Sequence, residues 1–125
     1  MGRYKILDPT NLHFVTLTVV DWVDVFVRRQ YKDIALDSLR FCIENKGLEI
    51  AAYVIMTSHI HLIARTKGHQ NLNEVLRDFK KFTAKKILDE IENGGYESRR
   101  EWMLHRFSFN GKGRRGKVRG ARRAL

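Results

Sequence analysis

Between His13 and Val20 the chain reads His-Phe-Val-Thr-Leu-Thr-Val-Val, β-branched and alternating, which predicts a strand. Its two faces differ, with Val15, Leu17 and Val19 on one side and Phe14, Thr16 and Thr18 on the other. From about Arg29 to Lys46 the period lengthens to that of a helix, with Tyr31, Ile34, Ala35, Leu39, Cys42 and Ile43 on one stripe. Gly47 supplies the stop. Leu48 to Met56 follows as a nearly continuous apolar strand with every even position apolar, and after a break at Thr57-Ser58 a further strand covers His59 to Arg65. The two are expected to form a hairpin.

A second helix opens at Asn71, with Glu74 three residues later in the spacing of a capping box. Leu72, Val75, Leu76, Phe79, Phe82, Ile87 and Ile91 line its expected buried face, and Gly94-Gly95 end it. A short third helix is expected to be capped by Ser98, with Glu101 three later, and to bury Trp102, Leu104 or Phe107. The order β-α-β-β-α plus a short additional helix is a split βαβ pattern. It predicts an α+β, ferredoxin-like or RNA-recognition-like palm: an antiparallel sheet, helices on one face, and the last strand missing. The other face is left open, where RNA-recognition modules meet their ligands.

Length and composition narrow the class. At 125 residues the chain fits one domain of about 100–200 residues, and 43% hydrophobic with 30% charged residues is globular rather than disordered. No apolar run has the ~18 residues of a membrane span, there is no signal-peptide pattern, and the single Cys42 excludes an internal disulfide framework. A membrane partner is not expected, and an intracellular, cytoplasmic location is. The net charge of +10 points to a polyanionic partner. Residues 110–125 hold seven of the 24 Lys and Arg, four glycines and no acid, which leaves +3 for 1–109. The expected organisation is therefore a palm domain over 1–109 and a flexible, basic Arg/Gly-rich tail over 110–125, which either holds nucleic acid by counterion release or is simply solvated.

His59 and His61 open the third strand and share a face, since side chains alternate. Positions i and i+2 lie ~6.5–7 Å apart along a strand, so two neutral imidazoles can lean onto one divalent cation. A chance pair is the alternative. His13 has the parity of the covered face, and His69 and His105 lack a partner at ligand spacing. On the second helix Arg77, Lys81 and Lys85 recur every four residues with Lys80 beside them, a stripe that either tracks a phosphate backbone or is an ordinary solvated face. Phe14 sits on the face of Thr16 and Thr18, as a base-stacking platform or as core.

Tyr53-Val-Ile-Met-Thr-Ser-His-Ile-His-Leu-Ile63 resembles the signature of the REP-associated tyrosine transposases and their relatives, the single-tyrosine HUH transposases of the insertion-sequence-200-like type. His13-Phe-Val-Thr-Leu-Thr resembles that family's first strand, and Phe79-Lys-Lys-Phe-Thr-Ala-Lys-Lys-Ile87 its second helix. The resemblance covers roughly residues 10–109, with Thr57-Ser58 in place of the Pro-Asn often found before the histidines.

The resemblance implies a palm whose histidine pair, here His59 and His61, holds Mg²⁺ or Mn²⁺ against a phosphate of single-stranded or hairpin DNA. It implies attack by a tyrosine, a 5′-phosphotyrosine intermediate, a free 3′-hydroxyl and rejoining to another DNA end. The family's tyrosine lies in a Tyr-Ile-His-x-Asn-Pro type motif on a later helix. This chain has no such motif: its only proline is Pro9, and the only tyrosine after His61 is Tyr96, in a loop after Gly94-Gly95. Tyr96 is thus the one candidate nucleophile the match offers, with a half-buried loop aromatic as its alternative.

The sequence is compatible with three readings: a metal-dependent DNA transposase that nicks and transfers strands, a catalytically inactive truncated relative that binds DNA, and a basic RNA-recognition-like protein. A missing last strand would leave an open sheet edge, and exposed edges invite pairing, so a homodimer is one expected assembly. The family implies a bacterial mobile element, acting at the nucleoid.

Overall fold

A computed structural model describes residues 11–115 and 124–125. The chain runs β1 (His13–Thr18), α1 (Arg29–Asn45), β2 (Leu48–Ile55), β3 (His59–Thr66), α2 (Leu72–Asn93) and α3 (Arg100–Arg115). Two short 3-10 turns, Val20–Trp22 and Val25–Val27, join β1 to α1. The antiparallel sheet has the order β1-β3-β2, and among the described residues no fourth strand lies beside β1. This is the α+β palm that the pattern predicts, with β3 in the centre.

Parity decides what each strand buries. Leu17 pairs with Ile60 and Val15 with Leu62, and all four are fully buried against the helices. Thr16 faces His61 and Thr18 faces His59 on the opposite side. Tyr31, Ala35, Leu39 and Cys42 carry α1 into the core, and Leu72, Val75, Phe79, Ile87 and Ile91 carry α2. Burying such side chains is the main source of stability, at about 25 cal/mol per Å² of apolar surface. Just past the end of α1, Gly47 turns the chain with a left-handed φ of +73° that a β-carbon would strain; that carbon would also lie 2.7 Å from the Gln70 side chain. α2 is capped by Asn71, whose side chain accepts a hydrogen bond from the Glu74 amide at 3.2 Å.

Several expectations change. Ile43 and Phe82 are exposed, because the buried line of α1 passes through Leu39 and Cys42, and in α2 Thr83 takes the inward position next to Phe82. Phe82 instead stacks on Phe41 across the two helices, centroids 6.4 Å apart. Among the described side chains of α3 the buried ones are Met103 and Phe107, whereas Trp102 is exposed and Leu104 is only half-buried. Ser98 lies before α3 and accepts a hydrogen bond from Arg28 at 3.3 Å. Even-numbered apolar residues do not share one face of β2: the register shifts between Ile50 and Ala52, so Tyr53 pairs with Leu62 and Val54 with His61.

α3 continues to Arg115, past the boundary expected at 109, so residues 110–115 are helical. Helix propagation adds a hydrogen bond per residue, and isolated glycines cost only about 1 kcal/mol each. Ala124 and Leu125 are buried in the core, and the Ala124 carbonyl accepts a hydrogen bond from the Val20 amide at 2.8 Å. Of the flexible tail expected over 110–125, residues 116–123 lie outside the described residues.

One carboxylate ties the first helix to the segment before the third. Glu97, its side chain fully buried, accepts hydrogen bonds from Arg28 Nε at 2.9 Å, the Tyr31 hydroxyl at 3.0 Å, and the Arg99 amide and Nε at 3.0 and 3.2 Å. Arg99 also pairs with Asp24. Burial by itself would raise the Glu97 carboxyl, but the Arg99 amide, Arg28, Tyr31 and the Arg99 side chain together hold it below its ordinary value.

Candidate metal and nucleic-acid site

The open face of the sheet carries the histidines. His59 and His61 alternate with buried Ile60 and Leu62, so both imidazoles stand on the side away from the helices. Their ring centroids are 4.7 Å apart, edge to face. Each ring is fixed at the same atom. Thr16 Oγ1 and His61 Nδ1 share a hydrogen bond of 3.1 Å, and Ser58 Oγ and His59 Nδ1 share another of 3.1 Å. With Nδ1 of both rings engaged by a hydroxyl, Nε2 is the nitrogen each offers to a cation, and an Nδ1–H donating to the hydroxyl oxygen sets the tautomer that such a ligand needs.

That arrangement fits a divalent metal as two of its ligands. Among the described residues no cluster of three or more His, Cys, Asp or Glu side chains surrounds a common point, so further positions would fall to water or to phosphate oxygens. Such an incomplete shell suits a cation that engages substrate rather than one that holds a fold together.

Two aromatic rings flank the imidazoles. Phe14 lies 5.5 Å from His61 on the β1 side, and Trp22 lies 5.3 Å from His59, edge-on. Both are exposed, Phe14 at 58% and Trp22 at 68%. The structure therefore places Phe14 on the open face rather than in the core. Trp22 escapes sequence reasoning because it belongs to no periodic element; the available signal is a lone tryptophan between Asp21 and Asp24, just past a strand. Asp21 and Trp22 both have left-handed backbones, φ 57° and 55°, a conformation uncommon for residues with side chains.

The other candidates lie elsewhere. Tyr96 is on the helix side: its hydroxyl donates to Glu90 Oε2 at 2.8 Å, and its ring packs 6.0 Å from Tyr31 with the Arg28 guanidinium over it. Burial, the hydrogen bond to Glu90 and the charge of Glu90 push its hydroxyl up to about 12, so it is protonated at neutral pH. None of these partners is on the open face. Arg77, Lys81 and Lys85 are exposed on α2 and Lys80 is half-buried, so this stripe too is across the sheet from the histidines. His13 is half-buried and pairs with Ala64, while His69 and His105 are exposed. No helix among the described residues is long and apolar enough to cross a membrane.

Comparison with known proteins agrees with this architecture. The profile of the IS200-like transposases matches residues 9–109. No curated protein matches the chain. Solved structures share the fold, among them the following two. A transposase candidate from Deinococcus radiodurans R1 superposes with a TM-score of 0.55 at 15% identity, over 88% of this chain and 97% of its own. A REP-associated tyrosine transposase bound to a REP hairpin superposes with a TM-score of 0.56 at 16% identity, over 94% of this chain and 76% of its own. With a palm of this topology and a family match over most of its length, the chain belongs to the IS200-like transposases.

Proposed function

We propose that the open face binds single-stranded or hairpin DNA, with a backbone phosphate at His59 and His61 and Mg²⁺ or Mn²⁺ shared by the two imidazoles. The observation that carries this reading is the pair itself: two histidines on an uncovered sheet face, each held at Nδ1 by a hydroxyl. The hairpin-bound relative and the net charge of +10 support it. A divalent cation there would supply Lewis-acid charge to the phosphate's non-bridging oxygens. The chain's own part is to aim Nε2 of each ring, through Thr16 and Ser58, and to frame the site with Phe14 and Trp22. Arg77, Lys80, Lys81 and Lys85 would meet a second stretch of backbone, each contact adding salt-dependent affinity. DNA as partner makes the bacterial nucleoid, in the cytoplasm, the place of action. The outer edges of β1 and β2 have no strand partner among the described residues, which is where a homodimer would pair.

Within the family's reaction a tyrosine hydroxyl attacks the phosphorus, giving a 5′-phosphotyrosine and a free 3′-hydroxyl. The position of Tyr96, bonded to Glu90 on the helix side, favours a second reading in which this chain binds DNA without cutting it. One experiment separates the two. A labelled pool of single-stranded hairpins is incubated with Mn²⁺ and the protein, and is followed both by binding and on a denaturing gel, beside Tyr96→Phe and His59→Ala/His61→Ala. The expected result is metal-dependent binding that the histidine variant loses and Tyr96→Phe keeps, with no covalent band. A covalent band lost in both variants makes Tyr96 the nucleophile, and binding indifferent to the histidines and to Mn²⁺ overturns the site.

A further inference from the structure

The histidine pair is the middle of a longer row. Trp22, His59, His61 and Phe14 follow one another across the open face with successive centroids 5.3, 4.7 and 5.5 Å apart. The inner two rings are half-buried and bound by hydroxyls, while the outer two are large, apolar and exposed. Val54 and Met56 are exposed close by on the adjoining strand and turn. Exposed aromatic and apolar side chains gathered around polar groups mark a binding surface rather than ordinary solvated sheet.

Trp22 is also held in place at a conformational cost. Two successive left-handed residues, Asp21 and Trp22, persist only where the surroundings fix them. Here they are fixed from several sides. The Trp22 amide donates to the Val19 carbonyl at 2.9 Å and the Val23 amide to Val20 at 3.3 Å, while Ala124 accepts from Val20. The Asp21 carboxylate lies 3.4 Å from Arg106 Nε of α3, and Val23 is buried just beyond. The turn is thus anchored to the core while its ring remains in solvent beside His59.

We propose that Trp22 and Phe14 stack the two bases on either side of a phosphate held at the histidine pair. The inference rests on the DNA-binding reading above and deepens it. A nucleotide strand alternates anionic phosphate with flat apolar base, and the row presents the matching order: ring, imidazole pair, ring. Any base can stack on an aromatic side chain, which tolerates sequence, but a base inside a duplex already has both faces covered. The overall positive charge complements the same ligand.

Trp22 and Trp102 are the only tryptophans, so Trp102→Phe leaves Trp22 as the sole reporter. This protein, with Mn²⁺ present, is titrated with a single-stranded oligonucleotide, with its fully abasic twin of equal length, and with a blunt duplex. Trp22→Ala, Trp22→Phe and Phe14→Ala are compared for affinity, and Mn²⁺ affinity and thermal midpoint are measured without DNA. The expected result is quenching of Trp22 by the base-containing strand alone. Trp22→Ala weakens that strand about 10-fold, the size expected of one lost stack, and Trp22→Phe recovers most of it. The abasic strand binds weakly and equally to all variants, and Mn²⁺ affinity does not change. Single-strand binding that is unquenched and unaffected by Trp22→Ala overturns this inference while leaving the DNA-binding reading intact. Failure of any DNA to bind the unaltered site overturns both. Self-association without DNA that Trp22→Ala abolishes also overturns it, because the face then belongs to a second copy of the chain.

Discussion

At the scale of single residues, the proposed metal site would rest on two hydroxyls as well as on two imidazoles. Thr16 and Ser58 each engage one Nδ1, and groups that orient a metal ligand in this way commonly account for 10–100-fold in affinity when removed. Thr16→Val keeps the shape and the β-branched preference of the strand, so its expected effect is about a 10-fold loss of Mn²⁺ affinity with little change in thermal midpoint, measured by calorimetric titration. Unchanged Mn²⁺ affinity would show that His61 needs no such partner. The shared face of His59 and His61 was legible in the sequence, because strand alternation requires it. The clamp from Ser58 was not, since a turn serine gives no sign of which way its hydroxyl points. The placement of Tyr96 was equally hidden: being the only tyrosine after His61 says nothing about which side of the sheet a loop will choose.

At the scale of elements, Glu97 is the joint between α1 and the segment leading into α3. Its carboxyl is held below the ordinary 4.5 in the fold, so its contribution to stability is complete above about pH 4.5 and is lost as pH falls through the lower, folded value. Glu97→Ala leaves Arg28, Tyr31 and Arg99 facing a buried gap and is expected to cost about 3 kcal/mol, seen as a lower urea midpoint at pH 7, with the difference from the native chain shrinking in acid. A cost independent of pH would assign the effect to packing alone. The elements themselves were legible from period 2 and period 3.6. The break in β2 was not, because an extra residue leaves no mark on a run that is apolar from Ile50 onward. Ala51 lies at that register shift, between Ile50 paired with Ala64 and Ala52 paired with Ile63. Deleting Ala51 should therefore leave every other cross-strand neighbour in place, whereas deleting Val54 shifts the strand beyond it by one and reverses its faces. Comparing the thermal midpoints of the two deletions tests this, with the first expected close to the native chain and the second far below it.

At the scale of the whole molecule, the sheet separates two kinds of charge chemistry. The imidazole pair is on the open side, and the exposed Arg77, Lys81 and Lys85 ride on α2 across the sheet from it. Sequence periodicity showed each group but not their opposition, which follows from which face the helices cover. If three backbone contacts come from the stripe, replacing all three residues with alanine should lower the slope of log affinity against log salt by about 2 for single strands. A slope unchanged by the triple substitution would make the stripe an ordinary solvated face. The two-sided layout also has a consequence for ligand length. If both sides take DNA as proposed, a short oligonucleotide would occupy only one, whereas a longer one that rounds the edge of the sheet would engage both, its second attachment then being intramolecular. The protein would act as a bivalent receptor with a step in avidity: affinity nearly flat with length, a sharp rise once the strand spans both contacts, and a plateau beyond.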